Sequence, residues 1–229
     1  MPLLGVVFDF DGVIADTEAL HLRAYQQAIK SMSLSLSQTE YYERYLGYDD
    51  VGVFTALAVD RNVDLSPKEM NQLIAKKGAC FDSLLGTGEV LFPGAVTCIH
   101  RLSKVTTLAI ASGALHNEID QILLGTDLGD FFAAIVAADD VDHPKPEPDA
   151  YQKAVKLLAK LQGGRRTSPS DYVAIEDSQW GLSSARSAGL RTIGITNSYP
   201  ETSLTAADLI VDHLDKVTLN LLQQLCETP

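Results

Sequence analysis

The sequence predicts an α/β fold, a doubly wound parallel sheet with a smaller all-helical domain inserted after the first strand. Three observations predict it. Short apolar runs recur at residues 3–8, 107–111, 134–137, 172–175, 192–195 and 209–211, and they lack polar alternation, as strands buried on both faces do. Helical patterns separate the later runs, and strand alternating with helix is the signature of a parallel, doubly wound sheet. Residues 17–88 show repeated helix starts and no convincing strand.

The first run, residues 3–8, ends in two acids and a glycine, as a buried strand opening into a loop would. In the inserted block, Asp16 and Thr17 can cap a helix whose Leu20, Ala24 and Ala28 share one face. Ser37-Gln38-Thr39-Glu40 and Ser66-Pro67-Lys68-Glu69 both have capping-box spacing, the second with proline at the first helical position. Helices are then predicted over 93–102, 117–124, 149–161 and 178–188, with Gly189 where a helix stop is expected. The division expected is a core of residues 1–16 and 89–229 with a helical cap of residues 17–88.

Composition narrows the function. With 229 residues, 46% hydrophobic and 21% charged, the chain can bury a substantial core. A net charge of −12 argues against a nucleic-acid partner, because phosphate backbones are held by clustered Lys and Arg. It does not exclude a small phosphorylated ligand, since a local pocket can be positive within an acidic protein. No apolar run is of membrane-spanning length, and the N-terminus lacks the basic region of a signal peptide. Cys80, Cys98 and Cys226 are widely spaced, as free thiols of a reducing compartment would be, and the expected location is cytoplasmic. Nothing in the sequence fixes the oligomeric state, and a monomer is compatible with it.

Four signals fall at predicted strand ends or in the loops beyond them, where open parallel sheets place their sites. Phe8-Asp9-Phe10-Asp11-Gly12 sets two carboxylates two residues apart, so that one can act as nucleophile and the other as acid and base. Ala111-Ser112-Gly113 offers a hydroxyl and backbone N–H groups to phosphate oxygens. Lys145 lies between Pro144 and Pro146, with Pro148 beyond, in a stretch whose stiffness fixes the base of a long cationic side chain. Ile175-Glu176-Asp177-Ser178 adds two adjacent hard-oxygen ligands suited to Mg²⁺. Each alone has an ordinary structural explanation, such as a turn or a helix cap. Together they form a metal-plus-phosphate constellation.

The order Asp-x-Asp-Gly, Ser-Gly, Lys-Pro, Glu-Asp resembles the haloacid-dehalogenase superfamily of phosphohydrolases. The strings Asp9-Phe10-Asp11-Gly12-Val13-Ile14-Ala15-Asp16-Thr17 and Glu176-Asp177-Ser178-Gln179-Trp180-Gly181 resemble its β-phosphoglucomutase and phosphoglycolate-phosphatase branch. That resemblance implies an Mg²⁺-dependent phosphatase acting on a small phosphorylated metabolite. It implies Asp9 as the nucleophile that becomes an aspartyl phosphate, and Asp11 as the acid and then the base. It further implies Mg²⁺ held by the Asp9 and Asp177 side chains and the Asp11 carbonyl, with Glu176 close by. Ser112, Gly113 and Lys145 would hold the phosphoryl group. Dehalogenases of the branch lack the second aspartate, so Asp11 speaks against carbon–halogen chemistry.

In the cap, His21 and Lys77 fall where β-phosphoglucomutase-like caps carry a histidine and a lysine, although Lys76 competes for the second place. The mutases carry an arginine shortly after a cap glycine, whereas this chain reads Gly47-Tyr48-Asp49-Asp50. Acids there favour plain hydrolysis over a mutase, which must hold a second phosphate. A phospho-accepting signalling receiver is the rival of another class. The nucleophile on the first strand and the helical insertion count against it.

Overall fold

The computed structural model describes residues 2–32, 34–46, 48–85 and 90–227. After strand β1 (Gly5–Phe8) the described residues form the α-helices α1 (Glu18–Ile29), the single turn α2 (Gln38–Glu40), α3 (Asp50–Asp60) and α4 (Pro67–Leu85). The chain then alternates through α5 (Ala95–Leu102), β2 (Thr107–Ala111), α6 (His116–Leu124), β3 (Phe132–Val136), α7 (Asp149–Lys160) and β4 (Tyr172–Glu176). It ends with α8 (Gln179–Ser187), β5 (Arg191–Ile195), β6 (Leu209–Val211) and α9 (Leu219–Glu227). Two compact units result, Met1–Asp16 with Leu91–Pro229, and Thr17–Val90. The junction expected between residues 88 and 89 falls at 86–89, outside the described residues.

The first unit is a six-stranded parallel sheet in the order β3-β2-β1-β4-β5-β6, the doubly wound α/β architecture predicted. The order reverses at β1, so the switch-point crevice opens beyond the carboxyl ends of β1 and β4. Strands buried on both faces explain the unbroken apolar runs: every residue of β1 and of β4 is buried. Small residues Ala109, Ala111 and Ala174 let Tyr151, Ala154 and Leu158 of α7 pack closely on one face. β3 begins two residues earlier than predicted, at Phe132, whose ring meets Phe8 edge-on with centroids 6.2 Å apart. After α8, Gly189 takes φ +87°, and its N–H bonds to Arg186 O while that of Leu190 bonds to Ala185 O. This paired closure is why a glycine stands there.

The second unit is helical. Ala24 of α1 packs with Phe81 and Leu84 of α4. The box at Ser66 is complete: Ser66 N–H donates to Glu69 Oε2 at 2.9 Å, and Glu69 N–H to Ser66 Oγ at 3.3 Å. At Ser37 the hydroxyl accepts the Glu40 N–H, but the Glu40 carboxylate turns to Arg61, at 2.6 and 2.8 Å. An available guanidinium outcompetes a backbone amide for a carboxylate.

Candidate active site

The sheet register places the chemistry. Phe8 pairs with Ile175 and with Ile110, so Asp9 is level with Glu176 on one side and Ala111 on the other. The Asp9 N–H donates to Ile175 O at 2.9 Å and extends the ladder past the strand. Glu176 is the last residue of β4, level with Gly194, and is fully buried. Asp177 follows it into the same strand end and is also buried. Asp9, Glu176 and Asp177 thus offer carboxylate oxygens lying within 4.8 Å of one another.

Lys145 reaches this cluster from the proline-rich loop. Its Nζ lies 2.9 Å from Asp9 Oδ1 and 2.5 Å from Glu176 Oε1. Tyr151 donates its hydroxyl to the same Glu176 oxygen at 2.7 Å, and Ser178 Oγ donates to Glu176 Oε2 at 3.2 Å. The proline-rich loop is itself tied down, since Ser184 Oγ of α8 donates to Glu147 O at 2.6 Å.

The electrostatics follow from this crowding. Burial and the neighbouring Glu176 push the Asp9 carboxyl up to about 7, against the opposing pull of Lys145. Burial works to lower the Lys145 ammonium, but Asp9 and Glu176 outweigh it and its pKa is raised. Asp9 and Glu176 share the Lys145 ammonium and the Asp177 carboxylate lies beside them, so carboxylates at this strand end are in excess of the ammonium that bridges them. A divalent cation with a preference for hard oxygen donors relieves that excess, so the donor set fits Mg²⁺.

Asp11 lies in the loop after β1, half-buried, with a bridge to Ala15. Gly12 beside it takes φ +76°, and a Cβ there would lie 1.8 Å from Asp177 Oδ2. Only glycine allows the loop to pass the carboxylate so closely. Ser112 extends β2 by one residue, its N–H donating to Val136 O at 2.9 Å. Its Oγ accepts the Ala114 N–H at 3.0 Å, which fixes the turn carrying the exposed Gly113 and leaves the hydroxyl hydrogen to point elsewhere.

Tyr151 and Asn197 were not legible as site residues. Asn197 follows β5 and donates Nδ2–H to Gly12 O at 2.7 Å, which steadies the loop bearing Asp11. Its position beyond a strand end is the one signal that marks it. Tyr151 reads in the sequence as an apolar-face residue of a helix, and nothing in the spacing marks its hydroxyl.

In the helical unit, packing sets the two lysines in different surroundings. Lys76 is exposed and donates to Ala28 O at 3.0 Å and Ser31 Oγ at 3.2 Å. Lys77 is 2% exposed, 2.9 Å from Asp50 Oδ1, with its ammonium over the rings of Tyr25 and Phe81. His21 stacks on Phe81 with centroids 4.3 Å apart, and burial together with Lys77 holds its pKa well below the usual value. The two acids of the expected loop are otherwise engaged. Asp49 caps α3 by accepting the Gly52 N–H at 2.7 Å, and Asp50 accepts the Tyr25 hydroxyl at 2.6 Å. Gly47 lies outside the described residues.

Comparison with known proteins agrees with this fold. Residues 6–195 match the family model of the haloacid dehalogenase-like hydrolases. The chain is 27% identical to the β-phosphoglucomutase of Bacillus subtilis, with 96% of this chain and 93% of that one covered. It is 28% identical to the phosphorylated carbohydrates phosphatase of Thermotoga maritima, with 84% and 85% covered. The crystal structure of CbbY from Rhodobacter sphaeroides in complex with phosphate superposes with a TM-score of 0.84 at 25% identity, covering 97% of this chain and 99% of that one. The family match spans both strand-end acid pairs and Lys145, and the chain belongs to the haloacid dehalogenase-like hydrolases.

Proposed function

We propose that the protein is an Mg²⁺-dependent phosphatase that hydrolyses a small phosphorylated metabolite through an aspartyl phosphate on Asp9. The observation that carries this reading is the Lys145 ammonium bridging Asp9 and Glu176 at a strand end with surplus carboxylates. Such a site can accept an anion only where cations neutralise it. Asp9 and Asp177 would hold Mg²⁺ through their carboxylates, with the Asp11 main-chain carbonyl added and Glu176 close by. Bound there, the ion would polarise the phosphoryl oxygens and offset charge.

In the first step Asp9 attacks phosphorus, the bond to the leaving oxygen breaks, and Asp11 gives its proton to that oxygen. In the second, Asp11 takes a proton from water, the water oxygen attacks phosphorus, and Asp9 is released with orthophosphate. Ser112, the Gly113 N–H and Lys145 hold the phosphoryl oxygens throughout. His21 and Lys77 are assigned to substrate selection in the cap. The substrate class is a sugar phosphate or a phosphoglycolate-like acid, and the sugar phosphate has the support of relatives named as a β-phosphoglucomutase and a phosphorylated carbohydrates phosphatase.

The B. subtilis relative motivates the mutase as a second reading. Hydrolysis is favoured because Lys77 already holds a carboxylate, so a second phosphate seeking it must displace Asp50. Asp9→Asn is expected to abolish phosphate release, since an amide is a poor nucleophile and a weaker Mg²⁺ ligand. Steady turnover by that variant, or activity untouched by EDTA, would remove the mechanism. Product analysis with β-glucose 1-phosphate separates the two readings. Glucose and orthophosphate are expected, and a predominance of glucose 6-phosphate in the presence of the 1,6-bisphosphate would establish the mutase.

A further inference from the structure

We infer that Tyr151 is a positioning residue of this site, its hydroxyl pinning the Glu176 carboxylate that aims the Lys145 ammonium at the phosphoryl group. The inference rests on the phosphoryl-transfer reading above.

Tyr151 is the third residue of α7 and is fully buried. Its hydroxyl and the Lys145 ammonium converge on one oxygen, Glu176 Oε1, at 2.7 and 2.5 Å. Ser178 holds the other oxygen at 3.2 Å, so both ends of the carboxylate are fixed against rotation. The wall behind it is equally close: a Cβ at Gly181 would stand 1.9 Å from Glu176 Oε1. The Tyr151 ring also lies beneath the lysine, with Nζ 5.1 Å from its centroid.

A lysine carries three N–H donors on a flexible stem, and by itself it has no preferred aim. Here two donors are committed, one to Glu176 and one to Asp9. Those two directions fix the third, which is left for a phosphoryl oxygen. Glu176 is therefore the anchor of the aim, and Tyr151 holds the anchor. Phenylalanine would fill the same volume and keep the ring under the ammonium, but it would leave Glu176 Oε1 to Lys145 alone. The carboxylate could then swing with the lysine. A hydroxyl buried only to be satisfied needs some acceptor. It has no reason to share the oxygen that holds the cation of the site.

The test is Tyr151→Phe in the full chain, with orthophosphate binding measured calorimetrically in Mg²⁺ buffer beside steady-state hydrolysis and thermal unfolding. Orthophosphate affinity and kcat/KM are expected to fall about tenfold, as when a hydrogen bond to a charged group is lost. In a Glu176→Met background, which offers the Tyr151 hydroxyl no oxygen, the same substitution is expected to change orthophosphate affinity less than twofold, because its route of action is gone. Ser178→Ala, which releases the other oxygen, is expected to weaken orthophosphate binding in the same direction. A Tyr151→Phe protein with a lowered melting point and wild-type orthophosphate affinity would mark the hydroxyl as purely structural and overturn the inference. Additive effects in the Glu176→Met background would overturn it as well. Failure of the phosphatase reading has a different signature, in which the wild type itself neither binds orthophosphate nor releases it from phosphomonoesters.

Discussion

At the scale of single residues, the crowding around Asp9 sets a pH response. Its carboxyl is raised from 3.8 to about 7 by burial and by Glu176, so between those values the folded protein keeps a proton that the unfolded chain releases. Stability from this group is therefore fully present below about pH 4 and is lost as the pH rises through 7. Asp9→Asn removes the charge and keeps the shape. In EDTA, the variant is expected to gain on the wild type as pH goes from 5 to 8, by an amount on the order of 2 kcal/mol. Urea unfolding at four pH values checks the sign, and a gap that stays flat would mean Asp9 ionises freely when folded. With Mg²⁺ added at pH 8 the ranking is expected to reverse, because the ion favours the carboxylate. The same scale shows the limit of sequence reading. Asp9, Asp11, Lys145, Glu176 and Asp177 could be picked out because acids and a stiffened lysine beyond apolar strands are costly unless used. Tyr151 could not, because an aromatic on the inner face of a helix is the ordinary core residue.

At the scale of elements, a loop and a helix, each through one glycine, hold the carboxylates in place. The loop after β1 passes Asp177 at Gly12, and the first turn of α8 passes Glu176 at Gly181. Gly12→Ala meets both a positive φ and a carboxylate 1.8 Å from its Cβ, whereas Gly181→Ala meets the carboxylate alone. Both are expected to cost activity, with Mg²⁺ affinity weakened more by Gly12→Ala because Asp177 must move. Metal titration of the two variants decides the order. In the helical unit, Asp50 at the start of α3 compensates the buried Lys77 of α4. Asp50→Asn removes a carboxylate partner from that buried ammonium, and is expected to destabilise by on the order of 2 kcal/mol, less than a fully buried pair because Asp50 is partly exposed. Lys77→Met in that background is expected to restore most of the loss, which denaturant titration of the double variant would show. Elements were the most legible level: all six apolar runs are strands, since period and length are local properties. Which of Lys76 and Lys77 is buried was not legible. Neighbours on a helix point about 100° apart, and only the packing of α4 against α1 settles which one is buried.

At the scale of the whole molecule, the balance of charge couples the site to stability. The chain carries a net charge of −12, and the buried strand end concentrates part of it where water cannot screen it. A cation bound there acts on folding by mass action, contributing about 2.7 kcal/mol at a hundredfold excess over its dissociation constant. Any salt also stabilises an acidic protein by screening its self-repulsion, so the two effects must be separated. Mg²⁺ in the millimolar range is expected to raise the unfolding temperature well beyond what NaCl does at equal ionic strength. Asp177→Ala, which removes a ligand along with one charge of the surplus, is expected to abolish the Mg²⁺-specific part and retain the salt response. An equal rise with Mg²⁺ and matched NaCl would reduce the acidic cluster to ordinary charge repulsion. A specific rise that survives Asp177→Ala would place the ion elsewhere.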